Sequence, residues 1–287
     1  MQDSADMPSM AILIVCRNRR ETTLAALRRV AGQDLTIPRT IVLFDDASSD
    51  GTVEAVLDEF PDVRIVRGDG NAFWNGGLHA VWQAALAEPV DAFLWLNDDV
   101  VLDADAFAHL AQAWRQLAQG KEPRFILAGA TRGDDGAVSY GGMRHEKSPV
   151  ALRFRAVAPT DQLQPVDTFN GNIVLVPRHV VKEIGINDPY FHHNLGDVDY
   201  GLRARAAGIP ILLLPGTLGH CAANDTKRTK GYGAPGTSAI HNWRKVNTHH
   251  GLPFKSWWRM TRRHSGRWWP LHFILPYRWL VLPWRRR

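Results

Sequence analysis

The stretch from Asp91 to Asp99, Asp-Ala-Phe-Leu-Trp-Leu-Asn-Asp-Asp, constrains this chain more than any other. A short unbroken apolar run reads as a strand buried on both faces, which demands packing layers above and below its sheet. Asn97, Asp98 and Asp99 come directly after that run. They would sit at the C-terminal rim of an open α/β sheet, where such folds bind ligands. Two acids crowded beside an amide repel each other unless something positive lies between them. A divalent cation carrying a phosphate is the usual answer, because hard cations prefer oxygen ligands.

The flanking segments repeat the pattern. Ala11 to Val15 is a first apolar strand ending in Cys16-Arg17-Asn18-Arg19, and Leu24, Leu27 and Val30 then recur at helical spacing. Thr40 to Phe44 is a second strand stopping at acids, Asp45-Asp46-Ala-Ser-Ser-Asp50-Gly-Thr52, before a helical stretch closed by Pro61. Val63 to Val66 is a third strand. Gly68 to Gly77 forms a glycine-rich turn ahead of a helix expected over Leu78–Ala87, either a plain connection or a place where backbone N–H groups approach phosphate. An Ala-rich helix is expected over Ala104–Gln119, and strands over Ile173–Val176 and Ile211–Leu214. Strands alternating with helices at this pitch predict a mostly parallel sheet with helices on both faces. A second acidic pair, Gly196-Asp197-Val-Asp199-Tyr-Gly-Leu-Arg203, opens a further helix, where helix-dipole and capping effects account for one of the two acids.

The motifs in this order resemble the family 2 glycosyltransferases over about residues 11 to 225, and the resemblance implies the GT-A fold, a Rossmann-like α/β architecture. Residues 1–225 would then be the catalytic domain, with a nucleotide-binding half at about 11–120 and an acceptor half at about 121–225. By resemblance, Asp45 and Asp46 hold the nucleotide base and ribose beside Cys16, Arg17 and Asn18. Asn75, Asn97 and Asp98 join the donor-binding set, and Asp99 matches the metal-binding acid of the Asp-X-Asp motif. Asp197 matches the general base, with Asp199 as its structural partner or an acceptor ligand. His220, after Leu214-Pro-Gly, matches a metal-binding histidine of bacterial galactofuranosyltransferases. Gly196 stands where many relatives carry an acid. Trp74 would stack on an acceptor sugar or lie in the core. The implied reaction is an inverting transfer from a UDP- or dTDP-sugar to a lipid-linked or polysaccharide acceptor in cell-surface glycan synthesis, helped by Mn²⁺ or Mg²⁺. A carboxylate base and a Lewis acid on the leaving diphosphate are what that chemistry needs. A sugar nucleotidyltransferase would show a glycine-rich signature after its first strand, which Cys16–Arg19 lacks; a non-catalytic binder on the same scaffold is the remaining rival.

The net charge of +5 over 287 residues conceals an asymmetry. No Asp or Glu occurs after Asp225, while that tail carries fourteen Lys and Arg, from Lys227, Arg228 and Lys230 to Arg285–Arg287. Trp257, Trp258, Trp268, Trp269, Trp279 and Trp284 lie among them. Basic residues beside Trp, Phe and Leu suit an interfacial segment on an anionic leaflet, so residues 226–287 are expected to be a membrane-surface extension. The other readings of the tail are a helical layer packed on the body or on a second subunit, a homo-oligomer contact, and a nucleic-acid groove. The acidic body argues less for nucleic acid, and none is expected. Two cysteines, no visible signal peptide and no run of ~20 apolar residues point to the cytoplasm, at the inner face of the membrane.

Overall fold

The computed structural model describes residues 8–34, 37–118, 122–146, 148, 151–191, 193–223, 238–246, 248 and 251–278. The expectations placed on Lys227, Arg228, Lys230, Trp279, Trp284 and Arg285–Arg287 lie outside the described residues. The first part of the chain alternates as predicted: β1 (Met10–Cys16), α1 (Arg20–Ala31), β2 (Arg39–Asp45), α2 (Thr52–Glu59), β3 (Arg64–Arg67), α3 (Phe73–Ala85) and β4 (Ala92–Leu96). A short β5 (Val101–Leu102) and α4 (Ala106–Leu117) come after it. Next come β6 (Ile126–Ala128), β7 (Thr131–Arg132), β8 (Val138–Tyr140), β9 (Gly142–Glu146), β10 (Arg153–Ala156), β11 (Gln164–Val166), β12 (Thr168–Phe169) and β13 (Ile173–Pro177). The chain continues through α5 (Arg178–Ile184), α6 (Gly196–Ala206), β14 (Ile211–Leu213) and β15 (Gly219–His220). The described part of the tail forms α7 (Ala239–Val246), α8 (Phe254–His264) and α9 (Trp269–Ile274).

Eight strands form the central sheet in the order β11-β14-β6-β13-β4-β1-β2-β3. β1 runs parallel to both β2 and β4, and β13 is antiparallel to β4 and β6. The chain moves outward from β1 to β3 and then returns to place β4 on the other side of β1. That reversal is a topological switch point, and the loops leaving β1 and β4 diverge there to open a crevice. Side chains alternate across β1: Ile12 and Ile14 join one core cluster with Leu27 and Phe107, while Ala11 and Leu13 join another with Val81 and Trp82. Both faces are therefore covered, the physical reason β4 is apolar at every position. Trp82 and Trp95 meet edge to face at 5.1 Å, with Tyr200 and Phe169 packed around Trp95.

Helix α3 begins at Phe73, inside the glycine-rich stretch and five residues before the expected start. Two long-range contacts explain this. Asp46 accepts the backbone N–H groups of Gly70 (2.9 Å), Ala72 (3.3 Å) and Phe73 (3.2 Å), capping the segment with a side chain from another strand end. A Cβ on Gly77 would stand 2.7 Å from Val15 and 2.9 Å from Phe44, so glycine lets the helix lie close on the sheet.

Candidate active site

The crevice at the switch point is a cleft of about 600 Å³, a size that suits a nucleotide-sized ligand. Cys16, Arg17 and Arg19 line it from the end of β1, Asp46 from the end of β2, Trp74 from α3, and Asn97, Asp98 and Asp99 from the end of β4. Asn170, Gly171 and Asn172 from the turn before β13, and Asn194 to Val198 at the start of α6, close the other side. Asp46, Asp99 and Asp197, from three separate segments, thus share one hollow.

The acid pair has a positive partner that the sequence did not reveal. Arg19 Nη1 donates to Asp98 Oδ1 at 2.7 Å, and its Nη2 donates to Asp99 Oδ2 at 3.1 Å. The Asp98 carboxylate is nearly buried, and its Oδ2 has no hydrogen-bond partner. Burial lifts its pKa to about 7, against the pull of the Arg19 guanidinium. Asp99 is more open, and its Oδ1 receives the thiol of Cys221 at 3.5 Å. Burial and the Asp99 charge push the Cys221 thiol up to about 12, so it stays protonated. Two adjacent acids need a positive partner, and the guanidinium of Arg19 takes the place that the sequence left to a divalent cation.

On the opposite wall, Asp197 lies in the first turn of α6, just after Leu195 in a left-handed conformation (φ 74°). Its Oδ2 accepts the N–H of Gly171 at 3.0 Å and its Oδ1 that of Val198 at 2.8 Å. Desolvation raises its pKa above the usual carboxylate range, with those two backbone bonds opposing the shift. A fixed, partly desolvated carboxylate facing a cleft has the character of a general base. Trp74 stands beside it, its indole N–H donating to Asn97 Oδ1 at 2.7 Å and its ring edge to face with Trp95, the ring centroids 6.4 Å apart. A Cβ on Gly171 would come within 2.4 Å of that indole, so glycine there lets Trp74 reach the cleft wall.

Residues 11–125 match the family model described as Glycosyl transferase family 2. The chain is 26% identical over 271 residues to the N-acetylglucosaminyl-diphospho-decaprenol L-rhamnosyltransferase of Mycobacterium tuberculosis, covering 83% of this chain and 80% of that one. The chain is thus similar to glycosyltransferases in both comparisons. Its fold is GT-A, and it resembles solved structures of low identity. A mannosyltransferase of Pyrobaculum calidifontis, in complex with GDP-Man and Mn²⁺, superposes with a TM-score of 0.56 at 16% identity over 90% of this chain. GalNAc-T7 with UDP, GalNAc and Mn²⁺ gives 0.60 at 14% over 96%, and S. aureus TarS residues 1–349 with UDP-GlcNAc gives 0.54 at 11% over 83%. The chain spans 64%, 56% and 64% of those three chains, respectively.

Around this cleft several residues named by resemblance have other partners. Asp45 is 1% exposed, with its oxygens on the Ser48 N–H and the Cys16 thiol, so it holds its own turn rather than lining the cleft. Asp46 lines the cleft, but both its oxygens are engaged by the backbone of the glycine-rich loop. Those N–H groups therefore face a carboxylate of the protein itself. Arg17 hydrogen-bonds the Gly70 carbonyl, and Asn18 (φ 51°) accepts the Ser49 N–H at 2.7 Å, tying the first two strand-end turns together. Asn75 is fully buried: it donates to the carbonyls of Asp188 and Phe191 and accepts from Asn187, so it is a strut rather than a donor ligand. The same amide fills the space beside Gly196, since a Cβ there would lie 1.8 Å from Asn75 Oδ1. That accounts for the missing acid at Gly196.

Asp199 is also fully buried, and it pairs with Arg203 (3.1 Å), Arg263 (2.7 Å) and His264 (2.8 Å). It is a structural partner and not an acceptor ligand. His220 does not line the cleft. Its Nε2 lies 2.9 Å from Asp134, while the next residue, Cys221, turns toward Asp99, as strand alternation requires. The preference for Mn²⁺ that a histidine ligand would bring loses its basis.

A divalent cation fits the acids that remain. Among the described residues no three His, Cys, Asp or Glu side chains form a metal cage. Asp99 offers hard oxygens at the cleft surface, and Asp98 Oδ2 is a buried oxygen lacking a partner. One or two carboxylates suffice when substrate phosphates supply the other ligands.

The described tail packs on this site's rear. Trp257, Met260 and Tyr277 join Phe191, Val198 and Leu202 in a third core cluster. Arg259 and Arg263 reach Asp188 at 2.8 and 2.7 Å. The packing alternative weighed for the tail therefore describes its inner face.

Proposed function

We propose that this chain is a glycosyltransferase that transfers a sugar, with inversion, from a nucleotide diphosphate donor (a UDP- or dTDP-sugar) to a lipid-linked or polysaccharide acceptor in cell-surface glycan synthesis. The observation that carries the reading is the convergence of Asp46, Asp99 and Asp197 on one cleft. Asp197 takes the proton from the acceptor hydroxyl as that oxygen attacks the anomeric carbon. Its two backbone hydrogen bonds aim the carboxylate, and its raised pKa makes it a stronger base than a solvated aspartate. Arg17 and Arg19 lie where a diphosphate would enter, and Trp74 offers an apolar face to the sugar. Asp99, with Asp98 behind it, would hold Mn²⁺ or Mg²⁺, which when bound serves as a Lewis acid on the leaving diphosphate. The relative's diphospho-decaprenol acceptor supports a lipid-linked acceptor here.

The outer face of the tail suits that acceptor. Ile240, Trp258, Trp268, Leu271 and Ile274 are exposed on α7–α9 and the turn between α8 and α9, beside the exposed Lys255, Arg262 and Arg267. Apolar anchors interleaved with cations and free of acids fit an anionic leaflet. No helix among the described residues is long and apolar enough to cross a membrane. The protein thus meets the cytoplasmic face of the membrane peripherally. The test is a panel of UDP-, dTDP- and GDP-sugars with a polyprenyl-diphosphate-sugar acceptor, with and without Mn²⁺. Transfer from one donor, with the anomeric configuration inverted, is expected; inactivity across the panel overturns the proposal.

A further inference from the structure

We propose that Arg19 is the resident counter-ion of the acid pair: it holds Asp98 and Asp99 together while the cleft is empty, gives up those oxygens when a divalent cation arrives with a diphosphate, and then pairs with that diphosphate. The inference rests on the donor chemistry proposed above and adds to it an exchange of Arg19 between the acid pair and the diphosphate. A single guanidinium spans two carboxylates at different depths, the Asp98 side chain 6% exposed and that of Asp99 33%. The Arg19 side chain is itself 45% exposed and lines the cleft, so its outer edge meets whatever enters. Arg19 is the last residue before α1, with non-helical backbone (φ −139°, ψ 43°), so its side chain lies outside the helical turns. A guanidinium carries five N–H donors in a planar fork, a geometry that matches phosphate oxygens as well as carboxylates.

Three charges cannot all be served at once. Arg19 bonds Asp99 Oδ2 and Cys221 bonds Oδ1, so a cation on Asp99 competes with the guanidinium for that carboxylate. With the cleft empty, the competition favours Arg19, because it is covalently tethered and leaves no carboxylate of the pair facing the other unpaired. A diphosphate changes the outcome. It brings the cation most of its ligands, and it offers Arg19 a replacement anion. The leaving group then carries two positive partners, and the metal is retained only while the diphosphate is present. With the cleft empty, the Cys221 thiol donates to Asp99 Oδ1 at 3.5 Å and orients that oxygen.

The test is equilibrium dialysis of the full-length protein against Mn²⁺, with and without inorganic pyrophosphate as a base-independent diphosphate. Wild type should hold Mn²⁺ weakly alone and more tightly with pyrophosphate. Arg19→Ala should bind Mn²⁺ alone at least about tenfold tighter than wild type, because a competing positive charge is gone. It should also gain less from pyrophosphate. Arg19→Lys, which keeps the charge but cannot span both acids, should fall between the two, and it carries the test if the alanine variant fails to fold. Equal or weaker Mn²⁺ binding by the variants without pyrophosphate overturns the proposal, as does the absence of Mn²⁺ binding in every sample. A failed donor panel with the Mn²⁺ shift intact would overturn the transfer reading alone.

Discussion

Replacing Gly196 with alanine sets two magnitudes against each other. Gly196 opens α6, its backbone lies outside the left-handed region, and helix propensity alone would credit alanine with up to about 1 kcal/mol. Packing opposes this. The new Cβ would lie 1.8 Å from Asn75 Oδ1 and 2.4 Å from its Cγ, well inside contact distance. Asn75 cannot yield cheaply: it is fully buried, donates to Asp188 at 2.9 Å and to Phe191, and accepts from Asn187 at 2.9 Å. Forced overpacking costs about 1–3 kcal/mol. Each buried hydrogen bond given up adds about 1 kcal/mol. With two bonds lost and the propensity gain subtracted, we expect a net loss of about 3 kcal/mol. Urea unfolding would show it as a lower midpoint at unchanged slope. In an Asn75→Ala background the same substitution should cost nothing, giving a coupling energy of about 3 kcal/mol. Turnover should fall as well, because Gly196 precedes Asp197. A Gly196→Ala protein as stable as wild type would show that Asn75 is not a rigid strut and refute the explanation of why no side chain stands there.

Asp197→Asn should lower transfer by about 10³-fold while nucleotide affinity measured by calorimetry stays unchanged; joint loss of both would reassign Asp197 to structure. Because the base must be ionised and its pKa is raised, wild-type kcat/KM should fall on acidification at a pH above the usual carboxylate range, and a limb inside that range would contradict the desolvated setting. The linkage sign is opposite for stability: the folded state binds this proton more tightly, so the group's contribution is present at low pH and lost as pH rises through the raised pKa. The amide variant should therefore gain on wild type as pH increases, and thermal melts across pH would show it. Arg263→Ala leaves the buried Asp199 with Arg203 and His264 only, and should destabilise by about 2–3 kcal/mol in urea; a loss under about 0.5 kcal/mol would mean that the tail is not anchored there. Trp258→Asp with Ile274→Asp should abolish sedimentation with phosphatidylglycerol vesicles, and wild-type binding should weaken with salt; unchanged binding by the double variant would retire the membrane face.

The amino-acid order by itself determined the α/β alternation, the full burial of β4 and the placing of acids at strand ends. These are local properties: an apolar run of five residues has few ways to avoid water, and the polar residues directly after it must lie at the sheet's rim. Which acids face the cleft was settled only by the tertiary structure, since a polar side chain's partner comes from whatever loop folds against it. Asp46 meets backbone N–H groups 24 to 27 positions away, Arg19 meets Asp98 across 79 positions, and Asp199 meets Arg263 across 64. His220 and Cys221 are neighbours in the chain, yet strand geometry turns only the cysteine to Asp99. Burial is encoded residue by residue, whereas pairing is encoded in how distant segments register, and the charges of this site belong to the second kind.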